Sequence, residues 1–255
     1  MPVHADLRTG AFGVTEASSL PVGEGARPAS KEGVRLRRRR LVFVALALAC
    51  VLAFWGLASH AWDGQISDLD QQIQTSVQAS RQRALTRVMR EVSDLGSSTF
   101  LLPANLLLVF VLRSHRPRLA LLLPAMTLGS WAAESLVKWI VSRPRPNLAD
   151  YGFPSGHVFV AVVFFGGLIY VLTLLEEQRW WRVASAGLSA VAIVGIAYSR
   201  LYLNSHWLSD ALGGLAGGGA FLFGALALLD GWARGAPRYS DRPPAPSTPA
   251  PAVPR

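Results

Sequence analysis

Residues 158–175 read VFVAVVFFGGLIYVLTLL, eighteen positions without a charged side chain. At about 1.5 Å of rise per residue, such a run nearly crosses the roughly 30 Å hydrocarbon core of a bilayer as a helix. Five further runs on either side repeat the pattern: Leu41–Trp62, Leu95–Leu112, Leu119–Ile140, Trp180–Tyr198 and Trp207–Leu229. Backbone groups in hydrocarbon must be bonded inside their own segment or around a closed barrel. Runs this long fit helices, not the alternating strands of a barrel. The sequence therefore predicts an all-α polytopic membrane protein, a bundle of six transmembrane helices. Composition agrees: the 255 residues are 51% hydrophobic and 16% charged, against about 25% charged in soluble domains. That excludes a disordered or collagen-like chain. A single cysteine, Cys50, leaves no intramolecular disulfide and no cysteine-based zinc site.

The net charge of +9 is distributed as membrane topology distributes it, at the ends of the apolar runs, and does not form a nucleic-acid-binding face. With a cytoplasmic N-terminus, thirteen arginines fall at inside ends: five between Arg35 and Arg40, then Arg113, Arg116, Arg118, Arg179, Arg182, Arg234, Arg238 and Arg242. Eight basic residues fall outside, four of them among acidic residues of the first loop. Both termini are thus expected in the cytoplasm of a multi-pass protein of the cell's inner (plasma) membrane. Lys138, Arg145 and Arg200 stand on the exterior side that insertion would keep free of cations, and become candidates for function. Residues 1–34 and the Pro-rich 231–255 are expected to be disordered cytoplasmic tails flanking a membrane domain at 35–230. The first run, preceded by 40 residues, reads as an uncleaved anchor. Between Asp63 and Asp94, Ile66, Leu69, Ile73, Val77, Leu85, Val88, Met89 and Val92 recur at spacings of three and four. They predict amphipathic helices that lie on the outer leaflet or simply pack onto the bundle.

Three clusters sit at the exterior ends of the last four runs. Lys138-x6-Arg145-Pro146 leaves the third, although a lysine there also snorkels to the interface with no further role. Pro154-Ser155-Gly156-His157 opens the fourth. It caps a helix, and it also aims free amides and a partial positive charge at any anion placed there. Ser199-Arg200-x5-His206-x3-Asp210 joins the fifth run to the sixth, with His206 and Asp210 on one face if the helix begins by His206. A carboxylate at that depth is costly enough to imply a function, although buried pairs also occur in purely structural networks. Together the clusters supply three permanent cations, a hydroxyl and helix amides, which make a phosphate cradle. Two imidazoles and one carboxylate provide a nucleophile or base and an acid.

The stretches KWIVSRPRP, PSGH and SRLYLNSHWLSD resemble the three signature motifs of the type 2 phosphatidic acid phosphatase family, lipid phosphate phosphatases that share their fold with vanadium haloperoxidases. The likeness spans roughly residues 63–229, and no motif position departs from it. It implies that His206 attacks phosphorus to form a phosphohistidine, held by Asp210. It implies further that Lys138, Arg145, Arg200, Ser155 and the Gly156 amide bind the phosphoryl oxygens, and that His157 protonates the leaving group and then activates water. Arg143 lies near but off the motif. No cofactor and no metal is expected, because three converging cations repel a dication. The implied partner is a lipid phosphate among membrane lipids: undecaprenyl diphosphate, phosphatidylglycerol phosphate or phosphatidic acid. A lipid phosphotransferase, an anion or lipid transporter and a catalytically dead scaffold are the rival readings. The Gly213–Gly219 run permits close helix packing in any of them and argues for no particular oligomeric state.

Overall fold

The computed structural model describes residues 31–62, 66–149, 151–175 and 178–235. Among them are eight helices and no strand: α1 (Lys31–Trp62), α2 (Asp68–Ala79), α3 (Arg83–Asp94), α4 (Ser98–Leu112), α5 (Pro117–Val141), α6 (Gly156–Leu175), α7 (Arg179–Tyr202) and α8 (Leu208–Ala233). The run that decides the fold, α6, takes the central place against α5, α7 and α8, while α1 lies along α8. Val158, Val160, Ala161 and Val163 of α6 are almost completely buried. Leu48, Leu52 and Trp55 of α1 are exposed instead, as suits a helix whose outer face meets hydrocarbon rather than water.

Five helices, α1 and α5 to α8, are each long and apolar enough to span a bilayer. The run at 95–112 is the sixth candidate span, and it is not a single long helix. Its helical part, α4, has 15 residues, about 22 Å of rise against the roughly 30 Å required. It becomes a candidate span only together with α3, from which it bends by 42°. The break falls where Gly96 passes the first turn of α6: a Cβ there would stand 3.0 Å from the His157 carbonyl oxygen and 3.0 Å from Ile196. Ser97 is extended before the helix restarts.

The amphipathic helices cap the bundle. Ile73 and Val77 of α2 pack on buried Val158, Ala161, Ile196 and Leu201, and Gln74 and Gln78 donate to the Leu201 carbonyl at the end of α7. Those bonds occupy a carbonyl that helix termination leaves without an intrahelical donor. The glycine run serves packing: a Cβ at Gly214 would stand 2.8 Å from the Ser155 carbonyl oxygen, and one at Gly218 2.6 Å from that of Phe159. α8 therefore lies backbone against backbone on α6. Helix occupies residues 31–34 and 231–233 as well, so the helical part of the chain reaches past both of the expected boundaries, at 34 and 231. Residues 1–30 and 236–255, most of those tails, lie outside the described residues.

Candidate active site

Antiparallel connectivity gathers the three clusters at one end of the bundle. Lys138 is in the last turn of α5, Gly156 and His157 open α6, Arg200 is in the last turn of α7, and Asp210 is in the first turn of α8. The opposite end carries the arginine-rich helix ends, where a Cβ at Gly235 would touch the Arg118 guanidinium. The 142–155 connection starts with Ser142 in the left-handed region (φ 46°) and is tied back by Gly152 N–H donating to the Arg143 carbonyl at 2.6 Å. Ser155 N–H donates to the Asp210 carbonyl at 2.9 Å, so the PSGH junction is stitched directly to α8.

The cations close on the start of α6. Lys138 Nζ pairs with Glu134 Oε2 at 2.8 Å and lies 2.6 Å from where a Gly156 Cβ would be. His157 lies within electrostatic reach of Arg200, His206, Lys138 and Arg145. Arg200 donates from Nη1 to Ser93 Oγ at 2.7 Å, and Arg145 makes a long contact, 3.4 Å, from Nη2 to the Tyr151 carbonyl. Nε of each arginine and the Ser155 hydroxyl are buried and have no hydrogen-bond partner among the described residues. Buried polar groups are normally bonded. Leaving these unpaired beside a helix N-terminus and a lysine fits a pocket completed by an oxyanion. Gly156→Ala tests the packing: the methyl group displaces the Lys138 ammonium, so phosphate release falls by about 10²-fold, the cost of a misplacement of about 1 Å, with unchanged elution of the folded protein.

His206 is 1% exposed. It precedes the N-cap residue Trp207 and lies outside α8, so the expected pair on one helix face is instead a loop residue and an N3 residue. The contact survives, with His206 Nδ1 at 3.5 Å from Asp210 Oδ2, a loose distance of the kind that tightens when substrate binds. Asp210 Oδ2 also accepts from Trp207 N–H at 3.0 Å, and Oδ1 from Arg143 Nη1 at 2.8 Å. Burial, helped by Arg200 and Arg145 and opposed by Asp210, pulls the His206 imidazole down to about 4. At neutral pH it is uncharged and keeps a lone pair. Among the described residues no three His, Cys, Asp or Glu side chains gather in a metal-binding arrangement.

Sequence reasoning missed two neighbours and gave a third, Arg143, no partner. Glu134 was legible, lying four residues before Lys138 in the orientation that favours a helical ion pair. Asp70 of α2 was not, and Arg143 points away from the cradle to bind Asp70 Oδ2 at 3.0 Å as well as Asp210. Alongside the site, an apolar groove of about 400 Å³ runs between α1 and α5, lined by Phe54, Trp55, Trp62, Val137, Ile140 and Val141.

Residues 118–234 match the family model described as PAP2 superfamily. Phosphatidylglycerophosphatase B of Bacillus subtilis (strain 168) is 31% identical over 179 residues, which cover 65% of this chain and 85% of that protein. The undecaprenyl-diphosphatase of Sulfolobus acidocaldarius is 33% identical over 72 residues, 28% of this chain and 30% of that one. In fold, the crystal structure of a transmembrane PAP2 type phosphatidylglycerolphosphate phosphatase from Bacillus subtilis superposes with a TM-score of 0.64 at 24% identity. The match covers 76% of this chain and 98% of that one.

Proposed function

The chain belongs to the PAP2 superfamily and is a multi-pass membrane lipid phosphatase; on that premise we propose that its pocket hydrolyses lipid phosphates through a phosphohistidine on His206, without a metal. The observation that carries this reading is the set of unpaired buried donors, Arg145 Nε, Arg200 Nε and Ser155 Oγ, beside an uncharged and fully buried imidazole. Lys138, the two arginines, Ser155 and the Gly156 amide hold the non-bridging oxygens, where charge concentrates in the transition state. The free lone pair of His206, on Nε2, attacks phosphorus, and the bond from phosphorus to the leaving oxygen breaks. That oxygen takes the proton of His157, and Asp210 stabilises the imidazolium forming on His206. His157, now a base, removes a proton from water. The resulting attack breaks the N–P bond, releases inorganic phosphate and restores both histidines.

The groove between α1 and α5 gives an acyl or prenyl chain an apolar path while the head group sits in the cradle. The arginine distribution supports a cytoplasmic side for both termini and an exterior side, at the plasma membrane, for the pocket. The two relatives, named for phosphatidylglycerol phosphate and undecaprenyl diphosphate, favour those lipids over phosphatidic acid, and the exterior location favours the diphosphate. Purified protein in detergent is tested for phosphate release from all three lipids. Release persists in excess EDTA; loss to EDTA and recovery with a divalent cation defeats the metal-free mechanism, and no release from any of the three defeats the function.

A further inference from the structure

One buried charge network ties the catalytic pair to a residue outside the three motifs, Asp70 of α2. Arg143 Nη1 donates to Ser209 Oγ at 2.6 Å and to Asp210 Oδ1 at 2.8 Å, and Nη2 donates to Asp70 Oδ2 at 3.0 Å. Asp70 in turn accepts from Ser209 N–H at 2.8 Å through Oδ1 and from Ser209 Oγ at 2.6 Å through Oδ2. The side chains of Arg143, Asp70 and Asp210 are 2%, 3% and 0% exposed. We propose that Asp70, carried by the capping helix α2, is a positioning residue for the hydrolysis, acting through Arg143 on Asp210 and so on His206; this rests on the function proposed above.

Two physical arguments lead there. The first is charge. His206 faces Arg200, Arg145 and His157, with Lys138 beyond His157, and must become an imidazolium among them as the N–P bond forms. Asp210 alone, paired to a buried guanidinium, would be largely neutralised. With Asp70 sharing that guanidinium, the group of three carries a net negative charge, and His206 sits against it. Asp70 is suited to this: its burial raises the carboxyl, but the bonds from Ser209 and Arg143 outweigh it and hold it below the usual carboxylate range, so it stays ionised. A second groove is lined by Asp70, Arg143 and His60 of α1, and His60 is the one other titratable group in that lining among the described residues. The second argument is placement. Asp70 accepts a first-turn amide of α8, a donor that helix geometry leaves unbonded, and so fixes the turn that carries Asp210.

The test is Asp70→Asn, which keeps the shape and removes the charge, assayed beside wild type and His206→Ala on undecaprenyl diphosphate and phosphatidylglycerol phosphate. Expected is a kcat lowered about 10- to 100-fold, as for outer partners of catalytic ligands, with KM within about threefold. Orthovanadate, which mimics the five-coordinate phosphorus, inhibits more weakly by a like factor, while inhibition by inorganic phosphate barely moves. Wild-type kcat, or equal weakening of vanadate and phosphate, overturns the proposal by assigning Asp70 no role or a merely structural one. Should Asp70→Asn give no folded protein, Asp70→Ser, which also removes the charge and leaves Arg143 paired with Asp210 so that no buried charge is orphaned, is read by the same two inhibitors: unequal weakening supports the proposal, equal weakening overturns it. A wild-type protein that releases no phosphate overturns the proposed function and this role together. Active wild type and inactive His206→Ala beside an unaffected Asp70→Asn overturn this role alone.

Discussion

Purified His206→Ala releases phosphate about 10⁶-fold more slowly than wild type, the scale seen when an enzyme loses its nucleophile or its base. Wild-type protein given a substrate labelled in the transferred phosphoryl group is trapped as an acid-labile phosphoenzyme; the variant is not. A residual rate within tenfold of wild type, or label still on the variant, removes His206 from the reaction. The same residue sets a pH signature. Only the unprotonated ring has a lone pair to attack with, so kcat/KM is lost as pH falls through the His206 value. Burial, Arg200 and Arg145 place that value at about 4, against about 6.5 for an ordinary histidine. The limb in kcat lies higher, because a bound phosphate offsets the arginines that depress the ring. A free-enzyme limb near 6.5 would mean that the ring is less buried or less surrounded by charge than the structure has it.

The membrane helices were legible because hydrocarbon solvent leaves the backbone few choices, and a long apolar run can hardly be anything else. The gathering of Lys138, Arg145 and Arg200 near the start of α6 was legible because their three stretches fall at ends of successive apolar runs that antiparallel helices bring together. What escaped depends on tertiary placement. Asp70 follows Ser67 by three residues, and Ser67 Oγ does accept its amide at 3.1 Å. This local signal is that of a helix cap and carries no trace of a partner on the far side of the chain. Arg143 and Arg145 are each followed by proline and are chemically alike. The left-handed turn at Ser142 and the tie from Gly152 to Arg143 set the connection in which Arg143, not Arg145, meets the carboxylates. That the helix of the 95–112 run starts only at Ser98 and spans only together with α3 escaped because the hydropathy of 95–112 is continuous, whereas the close passage of Gly96 over His157 is visible only once α6 is in place.

Asp210→Asn is expected to fold and to lose about 10⁴-fold in kcat, the loss found when an amide replaces the carboxylate of a catalytic triad, with little change in KM. Folding survives because Arg143 keeps its pairing with Asp70, so no buried charge is orphaned. The damage follows from which end of the amide faces which neighbour. Arg143 Nη1, a donor at 2.8 Å from Oδ1, demands the amide oxygen and rejects the NH₂. The NH₂ then occupies the place of Oδ2, where it confronts Trp207 N–H, a donor bonded at 3.0 Å in the native protein, and donates to His206 Nδ1. An imidazole that accepts at Nδ1 carries its proton on Nε2, the atom that must attack, and so has no lone pair there. Circular dichroism and elution in detergent should match wild type while steady-state phosphate release collapses. A kcat within tenfold of wild type would show that Asp210 neither fixes the tautomer nor stabilises the imidazolium, and would leave the 3.5 Å contact as packing alone.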